Sequence, residues 1–259
     1  MENVIFYFSG TGNSLKVCKD LSVELKNLQI IPISIAIKEN INYPIEKLGI
    51  VFPVYFAALP PIVADFVRKL DTSKINYIYA IATCNDFSGA ALHIVKKILK
   101  KKGKRLNLGF SITMPGNYLP MYPPLPRNKQ EERFKLEIQK VKTISNMINS
   151  KQNFKISAFS RLLSFMQKRN DKKLNEKDKN FWVDKNCNSC EICKKICPVE
   201  NIEIIEGKPQ WQHRCQQCLA CLHWCPQKSI QYSNKTIEKE RYHNPDISLK
   251  EMLERSHAI

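Results

Sequence analysis

CNSCEICKKICP at residues 187–198 and CQQCLACLHWCP at residues 215–226 hold eight of the ten cysteines of this 259-residue chain. Each run has three cysteines separated by two residues, a fourth after three more residues, and a proline directly behind it. Three thiolates with this spacing can wrap one face of a cubane iron–sulfur cluster, while the fourth reaches a second cluster. Zinc sites close with four ligands, usually in two pairs, and disulfides need an oxidising compartment. The spacing therefore favours two [4Fe–4S] clusters over zinc or disulfides.

The doubled run resembles the bacterial two-cluster ferredoxins, and matching segments, CPVENI and CPQKSI, continue both runs. The resemblance implies crossed ligation, in which each cluster takes its fourth cysteine from the other run. One cluster would be held by Cys187, Cys190, Cys193 and Cys225, and its twin by Cys215, Cys218, Cys221 and Cys197. We expect Ile202 and Ile230 to pack beneath the clusters. We also expect Trp182, Trp211 and Trp224 to shield the clusters from water rather than to carry electrons.

Near the amino end, the apolar run NVIFYF at residues 3–8 leads into SGTGNS at residues 9–14 and then into a helical pattern. This order predicts a buried parallel strand, a tight phosphate-binding loop and a helix whose first N–H groups face the anion. The loop offers only neutral donors, and it matches neither a Walker loop nor a dinucleotide-binding loop. A Gly-Ser turn without a ligand is the alternative. The candidate phosphate-binding residues are Ser9, Gly10, Thr11, Gly12, Asn13 and Ser14.

The pattern of this loop resembles the one with which flavodoxins bind the phosphate of FMN. The resemblance implies FMN as a cofactor, with the flavin ring contacted by two loops at the carboxyl ends of later strands. In the first of these loops Tyr55 would stack on the flavin, with Phe56 as a further candidate; the alternative is that these aromatics join the core. The implied flavin-contacting residues of the two loops are Pro53, Tyr55, Phe56, Thr83, Asn85, Phe87, Ser88 and Gly89.

A proline-rich segment at residues 115–127 follows the last predicted strand. Proline fixes φ and removes a hydrogen-bond donor, so we expect a stiff, extended loop here. Two roles stay open from the sequence. Asn117 and Tyr118 could contact the flavin edge, or the segment could dock the cysteine-rich part of the chain.

Alternation of apolar strands with helical patterns over residues 1–150 predicts a flavodoxin-like, doubly wound α/β domain. Its five-stranded parallel sheet should have the order 2-1-3-4-5. The first helix is expected from about 13 to 28, with Leu15, Leu21, Val23 and Leu25 turned inward. The remaining predicted parts are a basic helical connector (151–180), a small α+β two-cluster ferredoxin domain (181–232) and a polar tail (233–259).

The formal net charge of +17 lies mostly in residues 1–180. Such a field can steer acidic redox proteins, anionic cofactors or nucleic acid, but nucleic acid is disfavoured because no recognition motif accompanies the charge. No apolar run reaches the length of a membrane span, and no basic segment precedes the first apolar run. We therefore expect no integral membrane segment and a cytoplasmic protein with reduced thiols. A homodimer is possible on this sequence.

The order of the two parts resembles the flavodoxin–ferredoxin fusion family, electron-transfer flavoproteins of anaerobes. This resemblance implies FMN and two [4Fe–4S] clusters that pass electrons to and from redox proteins. Two alternatives stay open. The chain could be a flavin-dependent reductase of a small substrate, or a redox sensor whose flavodoxin-like domain holds no flavin.

Overall fold

The computed structural model describes residues 2–38, 45–153 and 174–257. These residues fall into two compact units. The first unit contains the described residues up to Ser9, from Asn13 to Pro115 and from Pro126 to 153. The second contains Gly10–Gly12, Gly116–Leu125 and 174–257.

The first unit is built on a five-stranded parallel sheet with the strand order β2-β1-β3-β4-β5. Every neighbouring pair of strands runs parallel, and the strands are largely buried, as expected when helices cover both faces. The predicted flavodoxin-like fold and strand order are thus confirmed. The strands are β1 (Glu2–Tyr7), β2 (Leu28–Pro32), β3 (Ile45–Pro53), β4 (Tyr77–Cys84) and β5 (Leu108–Thr113).

Five helices belong to the described part of the first unit, and they pair as a doubly wound fold requires. The first helix packs with the fifth, and the third packs with the fourth. The helices are α1 (Asn13–Glu24), α2 (Ile33–Ala36), α3 (Pro61–Lys69), α4 (Ala91–Lys101) and α5 (Arg127–Asn149).

Helix α1 differs from its prediction in length and in one inward residue. It ends at Glu24 instead of continuing to about residue 28. Leu15, Leu21 and Leu25 are buried as predicted, but the prediction for Val23 is wrong, because its side chain is 83% exposed. At about 100° per residue, a position two residues from Leu21 points to the opposite side of the helix. The apolar character of valine was therefore a weaker guide than helical geometry.

The second unit contains two short antiparallel pairs of strands around a small core. Strand β6 (Phe181–Val183) pairs with β9 (Ile230–Tyr232), and β7 (Ile202–Ile205) pairs with β8 (Lys208–Trp211). Its helices are α6 (Ile192–Lys195), α7 (Ala220–His223) and α8 (Leu249–His257), with 3-10 turns at Glu176–Asn180 and Ser233–Lys235.

The proline-rich segment contributes Leu119 to the core of the second unit, where it is 1% exposed, and Tyr118 packs against that core. The Nζ of Lys239 donates to the carbonyl oxygen of Leu119 (2.9 Å). Residues 154–173, most of the predicted helical connector, lie outside the described residues. No helix among the described residues combines the length and apolar character needed to cross a membrane.

Candidate metal centres and phosphate-binding loop

Eight cysteines of the second unit line two separate cavities. The first cysteine cavity is bounded by Cys187, Cys190, Cys193 and Cys225. The second cysteine cavity is bounded by Cys197, Cys215, Cys218 and Cys221. Each cavity therefore gathers three cysteines from one run and the fourth from the other, which is the crossed grouping that the ferredoxin resemblance implies.

The two cysteine runs adopt the same backbone conformation at matching positions. Corresponding residues are separated by 28 positions, the difference between Cys187 and Cys215. Non-glycine residues with positive φ recur at that offset: Ser189 (59°) with Gln217 (55°), Glu191 (61°) with Leu219 (58°), and Glu200 (50°) with Lys228 (50°). Such residues are uncommon, and they turn successive N–H groups into concave anion-binding nests that many iron–sulfur sites use. The repeat therefore extends from sequence to backbone geometry.

Several groups donate hydrogen bonds to the cysteine sulfurs. Cys215 Sγ accepts from the backbone N–H of Gln217 (3.2 Å) and from its side-chain amide (3.4 Å). Cys197 Sγ accepts from the backbone N–H of Asn201 (3.2 Å). At the matching position of the other run, Cys225 Sγ lies 3.3 Å from Ser229 Oγ. Donors of this kind favour sulfur in its charged form and tune the potential of a cluster.

A buried carboxylate supports the second cysteine cavity. Asp178, 1% exposed, accepts from the side-chain amide of Asn201 (2.9 Å) and from the backbone N–H of His213 (2.9 Å). The His213 ring nitrogen Nδ1 lies 2.7 Å from the other Asp178 oxygen. Because Asn201 also donates to Cys197, Asp178 connects the segments that carry Cys197 and Cys215. No spacing rule in the sequence singles out this aspartate.

Burial distinguishes the two cavities. Cys190 of the first cavity is exposed, whereas Cys215 and Cys221 of the second are 8% and 9% exposed. Burial raises the pKa of Cys193 and Cys218 to about 12. It also raises the pKa of Cys197, Cys215 and Cys221. Without a cation these thiols stay protonated at neutral pH, so loading with metal must release protons.

The lining of the cysteine cavities includes both of the isoleucines and one of the three tryptophans that were expected there. Ile202 borders the second cavity and Ile230 the first, and each is 2% exposed. Trp211 also lines the second cavity, where its ring stacks on Phe181 with centroids 5.1 Å apart. Trp182 lies at the surface, 38% exposed, and its indole N–H donates to the carbonyl oxygen of Ser233 (2.9 Å). Of the three tryptophans expected to shield the clusters, Trp211 lines a cysteine cavity, whereas Trp182 and Trp224 line neither.

The donor set of each cavity fits a [4Fe–4S] cluster, since four cysteines around one cavity are the usual ligands of that cluster. Among residues 2–38, 45–153 and 174–257, no three His, Cys, Asp or Glu side chains stand close enough to share a single metal ion. A cubane cluster does not require such closeness, because each thiolate binds a different iron atom.

Residues Gly10–Gly12 of the predicted phosphate-binding loop are packed within the second unit. A Cβ added to Gly10 would lie 2.3 Å from the carbonyl oxygen of Cys218, so only glycine fits there. The indole N–H of Trp224 donates to the Gly10 carbonyl (3.0 Å). Thr11 is 1% exposed, and its hydroxyl oxygen accepts from the side-chain amide of Asn117 (2.6 Å).

The carboxyl-terminal tail covers the same three residues. The backbone N–H of Asn244 donates to the Thr11 carbonyl (2.8 Å). A Cβ on Gly12, whose φ is +92°, would lie 3.0 Å from Ile247 Cβ. Asn244 and Ile247 are themselves 0% and 1% exposed. We call Asn244–Ile247 the tail clasp.

The last two residues of the predicted phosphate-binding loop, Asn13 and Ser14, belong to the first unit, and their side chains also make hydrogen bonds. Asn13 opens α1, and its side-chain amide donates to the carbonyl oxygen of Pro115 (3.0 Å). Ser14 Oγ lies 2.8 Å from the hydroxyl of Thr83, a predicted flavin-contacting residue. Ser9, at the end of the loop next to β1, is half-buried.

The neutral donors of the loop at residues 9–14 have the chemistry that a phosphate needs. In this conformation, however, the side chains of Thr11, Asn13 and Ser14 are buried and bonded to protein groups.

The loop after β3 presents an aromatic side chain, although its two aromatics have opposite exposures. Tyr55 is 8% exposed and meets Phe8 edge-on, with ring centroids 6.1 Å apart, whereas Phe56 is 45% exposed. Phe56 and Ala57 both have positive φ (50° and 56°), within a tight turn closed by hydrogen bonds between Tyr55 and Ala58. Two successive non-glycine residues in this region store backbone strain, which clusters at functional sites. Of the two stacking candidates, Phe56 is the one in contact with solvent, and Pro53 beside them is half-buried.

The loop after β4 is held by Arg133 of α5, a residue that the sequence analysis missed. Its guanidinium donates to the backbone carbonyl of Asn85 (2.8 Å), to the Asn85 side-chain oxygen (2.6 Å) and to the Met114 carbonyl (2.8 Å). It also pairs with Asp86 (3.3 Å). Farther along the loop, Phe87 is 58% exposed, Ser88 is half-buried and Gly89 is buried. In the sequence, Arg133 is one charged residue on the polar face of a helix, so nothing there indicates that it holds the loop after β4.

His223 joins the proline-rich segment to the tail within the second unit. Burial lowers its pKa to about 4, so the ring is neutral at physiological pH. Its Nδ1 accepts from the Tyr242 backbone N–H (3.1 Å), which leaves Nε2 to donate to the Asn117 carbonyl (2.8 Å). Together with Leu119, this bond ties residues Gly116–Leu125 of the proline-rich segment to the second unit.

The chain is similar to several solved structures at low identity. The flavodoxin of Fusobacterium nucleatum, solved with flavin mononucleotide, is 16% identical over 59% of this chain and 100% of its own, with a TM-score of 0.42. Rubredoxin:oxygen oxidoreductase of the anaerobe Desulfovibrio gigas is 12% identical over 63% of this chain, with a TM-score of 0.39, and the match spans only 36% of that protein. The Trp repressor binding protein of Bacillus subtilis is 15% identical over 54% of this chain and 96% of its own, with a TM-score of 0.38. No family model and no curated protein matches the chain.

Replacing Cys197 by serine should damage the metal centre associated with the second cysteine cavity and spare the centre associated with its own sequence neighbours. The reason is that Cys197 lines the cavity of Cys215, Cys218 and Cys221. EPR of the reduced protein, with Cys193→Ser as the matched variant for the other cavity, measures which signal is lost. Loss of the same signal in both variants would contradict the crossed grouping.

Proposed function

We propose that this protein is an electron carrier whose second unit holds two [4Fe–4S] clusters. The observation that supports this most directly is the pair of cavities, each lined by four cysteines in the crossed grouping. When bound, each cluster supplies one-electron redox chemistry. The repeated positive-φ residues and the N–H donors to sulfur are what a cluster environment requires.

Different residues of the chain would have different roles in such a carrier. The cysteines hold the clusters, Ile202, Ile230 and Trp211 exclude water, and Asp178 fixes the segments that carry two of the ligands. Cys190 is exposed while Cys215 and Cys221 are buried. The first cysteine cavity is therefore the better point for exchanging electrons with a partner. Reduced thiols call for a reducing compartment, which is consistent with the cytoplasm.

We also propose that the flavodoxin-like part binds FMN, whose phosphate would be held by the loop at residues 9–14. The support is the loop sequence together with its position between β1 and the first turn of α1, where open α/β sheets bind ligands. When bound, FMN supplies both one- and two-electron redox chemistry. Phe56 and Phe87, both exposed, are the aromatic candidates for contact with the ring.

A second candidate function is a cluster protein whose flavodoxin-like part holds no flavin, as a redox sensor would. The burial of Thr11 and Ser14, together with the tail clasp, favours this candidate. The flavin-dependent reductase gains no specific support from the described residues. Redox proteins with acidic surfaces are the partners that we propose, because the chain carries a net charge of +17.

Anaerobically purified protein should contain about eight iron atoms and eight acid-labile sulfides per chain, as two cubane clusters require. The amount of flavin extracted from the same sample distinguishes the flavin-containing carrier from the cluster protein without flavin. About one FMN per chain supports the flavin-containing carrier, whereas eight irons without flavin support the empty domain. A sample with no iron after anaerobic reconstitution would contradict the electron-carrier proposal.

Replacing Trp211 by phenylalanine should lower the midpoint potential of the cluster in the second cysteine cavity. The buried indole N–H of Trp211 has no acceptor among the described residues, and the residue lines that cavity. A donor to cluster sulfur stabilises the more negative, reduced form, so its loss favours the oxidised form. An EPR-monitored redox titration measures the change. Trp182→Phe is the control, since its N–H is bonded to Ser233; equal shifts in both variants would refute this role for Trp211.

Replacing Ile247 by alanine should strengthen FMN binding by about tenfold or more while leaving the iron content unchanged. Truncating a buried isoleucine costs about 2–5 kcal/mol, and each 1.4 kcal/mol corresponds to a tenfold change in an equilibrium constant. The tail clasp would then pack less firmly on Gly10–Gly12, and the phosphate of FMN would displace it more easily from this loop. Quenching of FMN fluorescence gives the Kd, and the exposed Lys250→Ala is the control. Identical affinities for wild type and both variants would show that the clasp does not oppose FMN.

A further inference from the structure

A third cavity in the second unit, of about 400 Å³, lies beside the first cysteine cavity. We call it the basic cavity. It is large enough for a drug-sized molecule, whose sites typically measure about 300–1,000 Å³. Cys225 and Pro226 line both cavities, so the two share a wall.

The side chains of the basic cavity select for negative charge. The cations Lys228 and Arg241 line it together with the rings of His223 and His243, and no described aspartate or glutamate does. Lys228 pairs with Glu240 (2.8 Å), which lies outside the lining, and this pair is solvent-exposed and therefore weak. Arg241 binds backbone carbonyls through its terminal nitrogens, while its Nε is buried with no hydrogen-bond partner among the described residues. Cations without a matching carboxylate in the lining make the cavity a site for an anion.

The same cavity offers flat apolar surface. The rings of Trp224 and His243 stack with centroids 4.4 Å apart and an angle of 18° between their planes. The Trp224 N–H is already bonded to Gly10, so the indole can offer the cavity only its apolar surface. Ile247 and Leu249 add aliphatic lining. Aromatic and aliphatic surface with a few cationic groups is the usual composition of a site for a planar organic anion.

We propose that the basic cavity binds a small planar organic anion, of the class of sulfonated or carboxylated quinones, against the Cys225 wall. Binding itself depends only on the cavity. Its redox consequence rests on the proposed function, in which Cys225 is a ligand of the cluster in the first cysteine cavity. A redox-active anion in this position would lie next to a cluster ligand, without a partner protein between them.

Calorimetric titration of the oxidised, iron-loaded protein with oxidised anthraquinone-2-sulfonate tests the proposal. We expect one site per chain, with binding weakened about tenfold by Lys228→Gln and by His243→Ala, since each variant removes one charged or stacked contact with the anion. Lys235→Gln, a change to an exposed lysine outside the cavity, should leave the affinity unchanged. Neutral 2-hydroxymethyl-anthraquinone should bind more weakly than the sulfonate.

Three results would overturn the proposal: no binding of the sulfonate, equal binding of the neutral analogue, or affinity unchanged in both cavity variants. Arg241 is left intact because its carbonyl contacts hold Lys228 and Ile230 in place. Iron content is measured in the same samples. A protein without iron that still binds the sulfonate would contradict the electron-carrier function alone, whereas an iron-loaded protein that fails to bind it would contradict only the basic cavity.

Discussion

The second unit depends on the convergence of two cysteine runs on two shared cavities. Each cavity needs a cysteine from the distant run, so neither run can complete a site by itself. The left-handed residues at matching positions make this possible, because they fold each run tightly enough to turn N–H groups toward sulfur. Their conformational cost must be offset by the surrounding core, in which Ile202, Ile230 and Phe181 are buried. The left-handed backbone positions, the small core of the second unit and the two cysteine cavities therefore depend on one another.

The order of the sheet and the grouping of the cysteines were predictable from the sequence, because both follow from short-range patterns. Alternating strands and helices indicate a doubly wound sheet, and the resemblance of the repeated thiol spacing to two-cluster ferredoxins implies the crossed grouping. Val23 shows where such patterns fail, since its apolar character conflicted with the helical period. Tyr55 and Phe56 show another limit of sequence patterns. Both are aromatic and adjacent, so the pattern does not tell which is buried, yet Tyr55 is buried and Phe56 is exposed.

Residues that act through long-range contacts could not be found in this way. Arg133 lies 48 positions from Asn85, and Asp178 lies 35 positions from His213. Both are charged residues on otherwise polar stretches, where a solvated side chain is the ordinary expectation. Their roles arise only because folding brings carbonyl or amide partners within hydrogen-bonding distance. The same reason explains why the sequence left two roles open for the proline-rich segment.

The packing of Gly10–Gly12 in the second unit has a consequence for biosynthesis. The bond between Gly10 and Trp224 spans 214 positions, so during synthesis Gly10 must wait for a partner that is made much later. Contacts with such sequence separation are slow to form, because a long loop must close before they contribute stability. A nascent chain halted before Trp224 would leave Gly10, Thr11 and Gly12 open to other partners. Folding of the second unit is therefore also the step at which Gly10–Gly12 acquire their final surroundings.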